Sequence, residues 1–402
     1  MKQALELAEK GRGKTSPNPL VGAVIVKNDR VVGEGFHARA GGLHAEINAL
    51  RAAGAKAQGG TLCTTLEPCS VYGKTPPCTE AIIASGISRL IVGLVDPNPK
   101  VNGEGISILK KAGIEVEVGF LEDKITRQNE AYLKYITTGE PFVLLKVAMS
   151  LDGKITSRNI QNNLNNQDEQ KWITGTKARD LVHRIRDEYG AVAVGIGTVL
   201  ADDPLLTVRL ENEATKNPLR VIVDSAGRLP ESSKIVRTAA KVPTVLATTS
   251  KISPTKTESL KKAGVEIWIL PASQGKVNLK KLLKKLGNQG ITSLLLEGGA
   301  GLNNSFIKAN LVDKYLFFVA PKILGPNCLS LIGGENSGGE KPPDISLTIA
   351  EVKKVGEDLA ITCYPKKEDL IAHPLNANPK SRKNHLKSKT NFSKERLLER
   401  AP

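Results

Sequence analysis

Long apolar runs are missing from this chain of 402 residues. No stretch approaches the roughly 18 apolar residues of a membrane-spanning helix, so no membrane partner is expected. No basic-then-apolar leader opens the chain, so no secretory signal is expected either. Cysteine is sparse: five residues, unevenly placed, exclude a disulfide framework and suit the cytoplasm. Aromatic residues make up only 4%, too few for a surface that stacks nucleic-acid bases. Acidic residues fall short of basic ones, 41 against 57, giving a net charge of +16. The excess is unevenly spread: +2 over residues 1–140, +8 over 141–365 and +6 over 366–402. A protein gripping long nucleic acid carries a basic face where it acts, and the nearly neutral first third speaks against one. The excess in the middle suits a small phosphate-bearing ligand. What remains is a globular composition, 40% apolar and 24% charged, long enough for two or three domains.

Strand-like apolar runs alternate with helical stretches, which predicts α/β architecture. Residues 2–10 read as a short helix. Val21–Val26 and Val31–Phe36 read as a hairpin around Asn28-Asp29. His44–Ala53, Cys78–Ser85 and Ile106–Ala112 read as helices, with Thr61–Thr65 and Leu90–Leu94 as strands between them. Glu122–Thr138 reads as one longer helix, ended by Gly139 and Pro141, where a domain boundary is expected. Beyond it, strands are expected over Phe142–Met149, Ala191–Gly195, Leu219–Asp224, Thr244–Ala247, Val265–Leu270 and Ser293–Leu296. Tyr315–Val319 and Leu359–Tyr364 are the last strand signals. Helices are expected over Thr176–Arg186, Val277–Leu286 and Leu302–Ala309. Residues 158–170 read as an Asn/Gln-rich polar loop, and residues 366–402 as a basic, disordered tail. The expected domains are therefore 1–140 and 141–365.

The first constellation with chemistry in it is His44-Ala45-Glu46, followed by Pro68-Cys69 and Pro76-Pro77-Cys78, all within 35 residues. One imidazole and two thiolates are a zinc donor set that leaves the fourth position to water. The metal brings that water's pKa toward ~7, and a nearby carboxylate that does not ligate must then move protons. Glu46, two residues past His44, is placed for that. Cys69 and Cys78 each follow a proline, which suits a helix start, where thiolate is favoured. Singly, each residue would serve as core filler; jointly they resemble the zinc nucleobase-deaminase signature, H-x-E then P-C-x-x-C. Here eight residues separate the cysteines instead of two, and the insert is expected to line the pocket. Cys63, Cys328 and Cys363 read as structural. His37 fits a structural position at least as well as one facing the pocket.

In the second half, Leu294-Leu295-Leu296-Glu297-Gly298-Gly299-Ala300-Gly301 runs from a strand through a Gly-rich turn into a helix, a design that receives phosphate. An ordinary tight turn fits that segment equally. Asp152, Lys154, Thr198, Asp202, Asp203, Arg209 and Asp224 fall at expected strand ends, and Arg186 with Arg209 suits a phosphate clamp. Two tempting motifs fail. Gly11-Arg12-Gly13-Lys14-Thr15 has Ala8 where a phosphate loop needs its first glycine, and Gly195-Ile196-Gly197 has Leu200 where the dinucleotide fingerprint needs its third.

Longer strings carry a closer resemblance. Thr15-Ser16-Pro17-Asn18-Pro19-Leu20-Val21-Gly22-Ala23-Val24, the His-Ala-Glu triplet, Leu66-Glu67-Pro68-Cys69-Ser70, Ser150-Leu151-Asp152-Gly153-Lys154, Trp172-Ile173-Thr174-Gly175 and Gly197-Thr198-Val199-Leu200-Ala201-Asp202-Asp203-Pro204 are similar to the bifunctional riboflavin-biosynthesis deaminase/reductase family. The match runs over about residues 1–365 in the family's order. It implies a cytidine-deaminase-like three-layer αβα domain followed by a dihydrofolate-reductase-like α/β domain. The implied reactions are zinc-dependent hydrolytic deamination of 2,5-diamino-6-ribosylamino-4(3H)-pyrimidinone 5′-phosphate and NADPH-dependent reduction of its ribosyl group to ribityl. By resemblance, His44, Cys69 and Cys78 hold one zinc, Glu46 shuttles protons, and Asn18 meets the pyrimidine. Ala148, Trp172, Thr198, Asp202, Ser225 and Gly299 match NADPH positions, while Arg186, Leu206, Arg209 and Glu297 match substrate positions. The resemblance also implies a homodimer.

Some places depart from the family's pattern. Val71 and Lys74 stand where His and Arg are usual, Glu169 and Gln170 replace a Gly-Glu-Ser, and the stretch before Trp172 is longer. Three alternatives to the bifunctional reading are a nucleic-acid base deaminase, which the charge distribution and the few aromatic residues oppose, a non-catalytic scaffold stabilised by zinc, and a deaminase whose reductase half is impaired.

Overall fold

The structure is a computed structural model and describes residues 1–73, 76–157, 172–210, 215–331 and 345–366. Lys74, the stretch 158–170 with Glu169 and Gln170, and the tail beyond Lys366 lie outside the described residues.

The first part of the chain folds as α1 (Lys2–Glu9), β1 (Gly22–Lys27), β2 (Arg30–Phe36), α2 (Ala45–Ala53), β3 (Thr61–Leu66), α3 (Cys78–Ala84), β4 (Arg89–Leu94), α4 (Glu104–Lys111), β5 (Glu115–Val118), α5 (Glu122–Gln128) and α6 (Glu130–Thr138). The strands form one sheet in the order β2-β1-β3-β4-β5, with β3, β4 and β5 parallel and the β1–β2 hairpin antiparallel. Asn28 and Asp29 both have positive φ, the turn whose twist matches a hairpin. Strand alternation sorts the two faces: Ala23 and Ile25 pack with Ala45, Ala49, Ile82 and Leu109 from α2–α4, whereas Val24 packs with Ala4 and Leu7 of α1. Ile125, Tyr132 and Leu133 of α5 and α6 join Leu66 and Leu94 in a further cluster. The result is three layers, helix–sheet–helix.

Two expectations need correction here. Glu122–Thr138 is two helices, because Asn129 leaves helical geometry and turns its buried carboxamide onto Leu20, accepting from its N–H at 2.7 Å and donating to its carbonyl at 3.0 Å. An Asn side chain that satisfies backbone groups locally competes with helix continuation. The edge strand β5 was not expected; its four residues are too few for alternation to stand out.

The second part folds as β6 (Phe142–Ser150), β7 (Lys154–Ser157), α7 (Thr176–Glu188), β8 (Ala191–Gly195), α8 (Ile196–Asp202), β9 (Leu219–Val223), α9 (Lys234–Arg237), β10 (Thr244–Thr248), α10 (Pro254–Lys262), β11 (Glu266–Ile269), β12 (Ala272–Ser273), β13 (Lys276–Val277), α11 (Leu279–Asn288), β14 (Ser293–Leu296), α12 (Ala300–Lys308), β15 (Lys314–Ala320), β16 (Cys328–Ser330), β17 (Leu347–Val355) and β18 (Asp358–Pro365). Among the described residues the main sheet runs β11-β10-β9-β8-β14-β6-β15-β18-β17. The strands from β11 to β15 are parallel; β18 and β17 close the edge antiparallel. Both faces of the parallel part are covered, as its near-continuous Val/Leu/Ile content requires. Val143, Leu145, Leu294 and Leu296 face α11 and α12, while Leu144, Val192, Ile222 and Leu295 face α7, α8 and α10.

Here too the structure corrects the sequence reading. Val277 belongs to β13, and α11 starts two residues later, where the Asn278 side chain accepts the Lys281 N–H. Strand β17 is mostly exposed and carries no buried alternation to betray it. Helix α8 was not expected at all.

The two parts meet at α6. Lys134 makes a buried ion pair with Asp313, whose carboxylate also accepts the Val143 N–H at 2.7 Å. Lys314 pairs with Glu130 at 2.6 Å, and the Tyr364 hydroxyl donates to the same carboxylate at 2.8 Å. Among the described residues no helix is long and apolar enough to cross a membrane.

Candidate active sites

The first site forms where α2, the end of β3 and α3 converge. His44 is the residue just before α2, in extended conformation, and Cys78 is the first residue of α3. Cys69 sits in the loop after β3 and starts no helix, which corrects the expectation for that cysteine. The His44 Nδ1 lies 3.2 Å from the Cys78 Sγ and 3.4 Å from the Cys69 Sγ. All three donor atoms lie within 4.8 Å of one another. Ligands of one tetrahedral zinc, bonded at ~2.0–2.3 Å, stand ~3.5 Å apart, so the donor set fits that ion. The Cys78 N–H donates to the Cys69 sulfur at 3.3 Å. Hydrogen bonds from Cys78 and His44 pull the Cys69 thiol down to about 4, and the same bond to Cys69, with burial, pushes Cys78 up. Glu46 lies on the first turn of α2, 3% exposed, and burial raises its carboxyl to about 7.

The surrounding contacts fix this geometry. A Cβ on Gly35 of β2 would stand 2.3 Å from the Ala45 carbonyl, so only glycine lets α2 lie this close to the hairpin. Glu67, buried just before Pro68-Cys69, accepts the backbone N–H groups of Gly103, Asp96 and Ile106 and anchors the cysteine loop to α4. His37 donates from Nδ1 to the Leu43 carbonyl at 3.0 Å and accepts from the Asn18 Nδ2 at 3.1 Å. Its ring meets His44 edge-on at 5.5 Å. That arrangement sets His37 beside the His44 imidazole and fixes how the Asn18 amide is turned. Val71 is 41% exposed.

The second site is a cleft of 2280 Å³ at the carboxyl ends of β6, β8, β9 and β14. Open parallel sheets receive ligands at that end, where strand order reverses, and the volume holds two ligands of ordinary size. Ala148, Trp172, Thr198, Asp202, Ser225 and Gly299 all line it. So do Arg186, Leu206, Arg209 and Glu297. Glu297 is at its centre, bonded by the Arg186 Nε at 2.6 Å and Nη2 at 3.0 Å and by the Lys146 Nζ at 2.7 Å. Burial alone would raise the Glu297 carboxyl, but Arg186 and Lys146 outweigh it and hold it well below the usual carboxylate range. The Gly299 N–H donates to the Thr198 hydroxyl at 3.1 Å, tying the Gly-rich turn to α8. The Ser225 hydroxyl accepts the Val277 N–H at 3.0 Å.

Other polar residues at strand ends serve the backbone. Asp224 accepts from Ala226 and Leu229, Asp203 from Lys234, and Asp152 from Leu324 and Gly325. Lys154 donates to the Ser330 hydroxyl.

Known proteins match both parts of the chain. Residues 141–361 match the model described as the RibD C-terminal domain, and residues 1–94 match the cytidine and deoxycytidylate deaminase zinc-binding region. The riboflavin biosynthesis protein RibD of Aquifex aeolicus (strain VF5) is 43% identical over 361 residues, 90% of this chain and 96% of that protein. The chain belongs to the RibD family.

Two solved RibD-type structures agree in fold. Acinetobacter baumannii RibD, form 1, superposes with a TM-score of 0.77 at 39% identity, covering 91% of this chain and 98% of that one. The diaminohydroxyphosphoribosylaminopyrimidine deaminase/5-amino-6-(5-phosphoribosylamino)uracil reductase from Thermotoga maritima gives 0.75 at 37% identity, covering 91% and 97%. As a member of that family, this chain is a bifunctional enzyme of riboflavin biosynthesis, a zinc-dependent deaminase and an NADP-dependent reductase acting on a small molecule. Sequence reasoning assigned no role to Lys146, Glu67 or His183; Lys146 breaks an apolar strand, a signal that was legible.

Proposed function

We propose that residues 1–140 are the deaminase and 141–365 the reductase, acting in turn on 2,5-diamino-6-ribosylamino-4(3H)-pyrimidinone 5′-phosphate. In the first step His44, Cys69 and Cys78 hold zinc, and Asn18, oriented by His37, positions the pyrimidine. Zinc held there supplies an acidified water. Glu46, buried beside the three donors and not one of them, would accept the proton released as water oxygen bonds to the ring carbon and would return it to the amine as the carbon–nitrogen bond breaks. In the second step Ala148, Trp172, Thr198, Asp202, Ser225 and Gly299 hold NADPH, which supplies the hydride. Arg186, Leu206, Arg209 and Glu297 hold the ribosyl phosphate so that its reacting carbon faces the cofactor. The enzyme works as a homodimer in the cytoplasm.

The observation that carries this reading is the convergence of three zinc donors with a buried, non-ligating carboxylate. Metal analysis paired with ammonia release tests it. Glu46→Gln is expected to keep one zinc per chain and lose deamination by about 10²–10⁴-fold, whereas Cys78→Ser loses both. Full activity in Glu46→Gln would overturn the assignment.

A further inference from the structure

Beyond the residues given a role above, one buried titratable side chain among the described residues lines the reductase cleft. His183 lies on α7 one turn before Arg186, so the two share a helix face. It is 9% exposed and borders the cleft. Its Nδ1 accepts the backbone N–H of Arg209 at 3.3 Å. We propose that His183 is a positioning residue of the reductase: its imidazole holds the backbone of Arg209 against α7, so that Arg186 and Arg209 are presented to one anion, the phosphate of the ribosyl substrate. This rests on the reading of Arg186 and Arg209 given above.

The segment that carries Arg209 needs such ties. Leu206 sits in the left-handed region, at φ 53, which a leucine side chain does not favour. The segment is held by hydrogen bonds from outside it. Arg220, wholly buried, donates to the Leu205 carbonyl at 3.1 Å, Arg186 to the Thr207 carbonyl at 3.3 Å, and Asn217 accepts from the Val208 N–H at 2.9 Å. His183 is the tie made to Arg209 itself. Burial, and then the positive charges of Arg186 and Arg209, pull the His183 pKa down to about 4. The imidazole is therefore neutral at pH 7 with Nδ1 available to accept.

The test uses the full-length enzyme with its zinc, given the deaminated ribosyl phosphate and NADPH. His183→Ala removes the acceptor; His183→Asn returns an oxygen close to the Nδ1 position. For His183→Ala we expect KM for the ribosyl phosphate, and the inhibition constant of inorganic phosphate competing with it, to rise about tenfold, with kcat within about twofold. KM for NADPH and the deaminase rate stay at wild-type values. His183→Asn restores both phosphate-dependent constants. Arg209→Ala tests the underlying reading: if it leaves KM and phosphate inhibition unchanged, Arg209 does not hold the phosphate. If Arg209→Ala raises both and His183→Ala raises neither, the proposal about His183 is wrong and the reading of Arg209 stands. A His183→Ala enzyme that loses NADPH affinity and kcat in step with thermal stability also overturns it, since His183 is then only packing. If His183→Ala does not fold, His183→Gln, whose amide lies too far out to accept from Arg209, takes its place with the same two outcomes.

Discussion

Replacing Glu297 by glutamine keeps the shape of the side chain and removes the one negative charge between Lys146 and Arg186. The side chains of Lys146, Arg186 and Glu297 are 14%, 12% and 7% exposed, so solvent screens little of the interaction. Breaking a buried ionic group by removing one partner costs about 3–5 kcal/mol, because the remaining charges stay buried without compensation. For a unit of about 220 residues, each kcal/mol moves the melting temperature by about 2–4 °C, so the reductase transition of Glu297→Gln should fall by about 10 °C. Differential scanning calorimetry reads this directly, with the deaminase transition as internal reference. Lys146→Met added to Glu297→Gln should recover part of the loss, since it removes one of the two stranded cations. The pH dependence has a definite sign. A carboxyl whose folded pKa is depressed contributes stability that is fully present above its unfolded value of ~4.3 and is lost as pH falls through the folded value. The gap between wild type and Glu297→Gln should therefore be flat from about pH 8 to 5 and shrink below about pH 4. A gap under about 1 °C at every pH would refute the claim that this cluster is a buried, ionised unit.

Two further outcomes follow from the same contacts. Asn129→Ala deletes both bonds to Leu20 and should destabilise the deaminase transition by about 2 kcal/mol, leaving the reductase transition in place. Arg220→Met strands the carbonyl of Leu205, while those of Ile235 and Val242 keep the Thr238 and Thr244 hydroxyls; urea unfolding should show a loss of about 1–3 kcal/mol, with the ribosyl-phosphate KM rising as the Leu206 segment loosens.

The convergence of His44, Cys69 and Cys78 near Glu46 was legible in the sequence because residue type and spacing are the chemistry: few other arrangements place an imidazole, two thiolates and a carboxylate in 35 residues. The parallel strands were legible for a related reason, since burial on both faces leaves continuous apolar runs such as Leu294–Leu296. The edge strands β5 and β17 were not, because exposure removes the alternation that marks a strand. The break at Asn129 depends on Leu20, 109 positions away, and local propensity cannot report it. The reductase residues that line the cleft were reached by resemblance; residue type alone did not separate Arg209, which lines it, from Asp152, which braces a loop. His37 stood undecided in the sequence because its role is set by Asn18 and Leu43 together.

NADPH oxidation by one preparation given two starting compounds tests the central claim most directly. Wild type should oxidise NADPH whether supplied with the diaminopyrimidine ribosyl phosphate or with its deaminated product, and Glu46→Gln should oxidise it only with the product. If Glu46→Gln oxidises NADPH equally well from both, or wild type from neither, the two-site account of this chain is wrong.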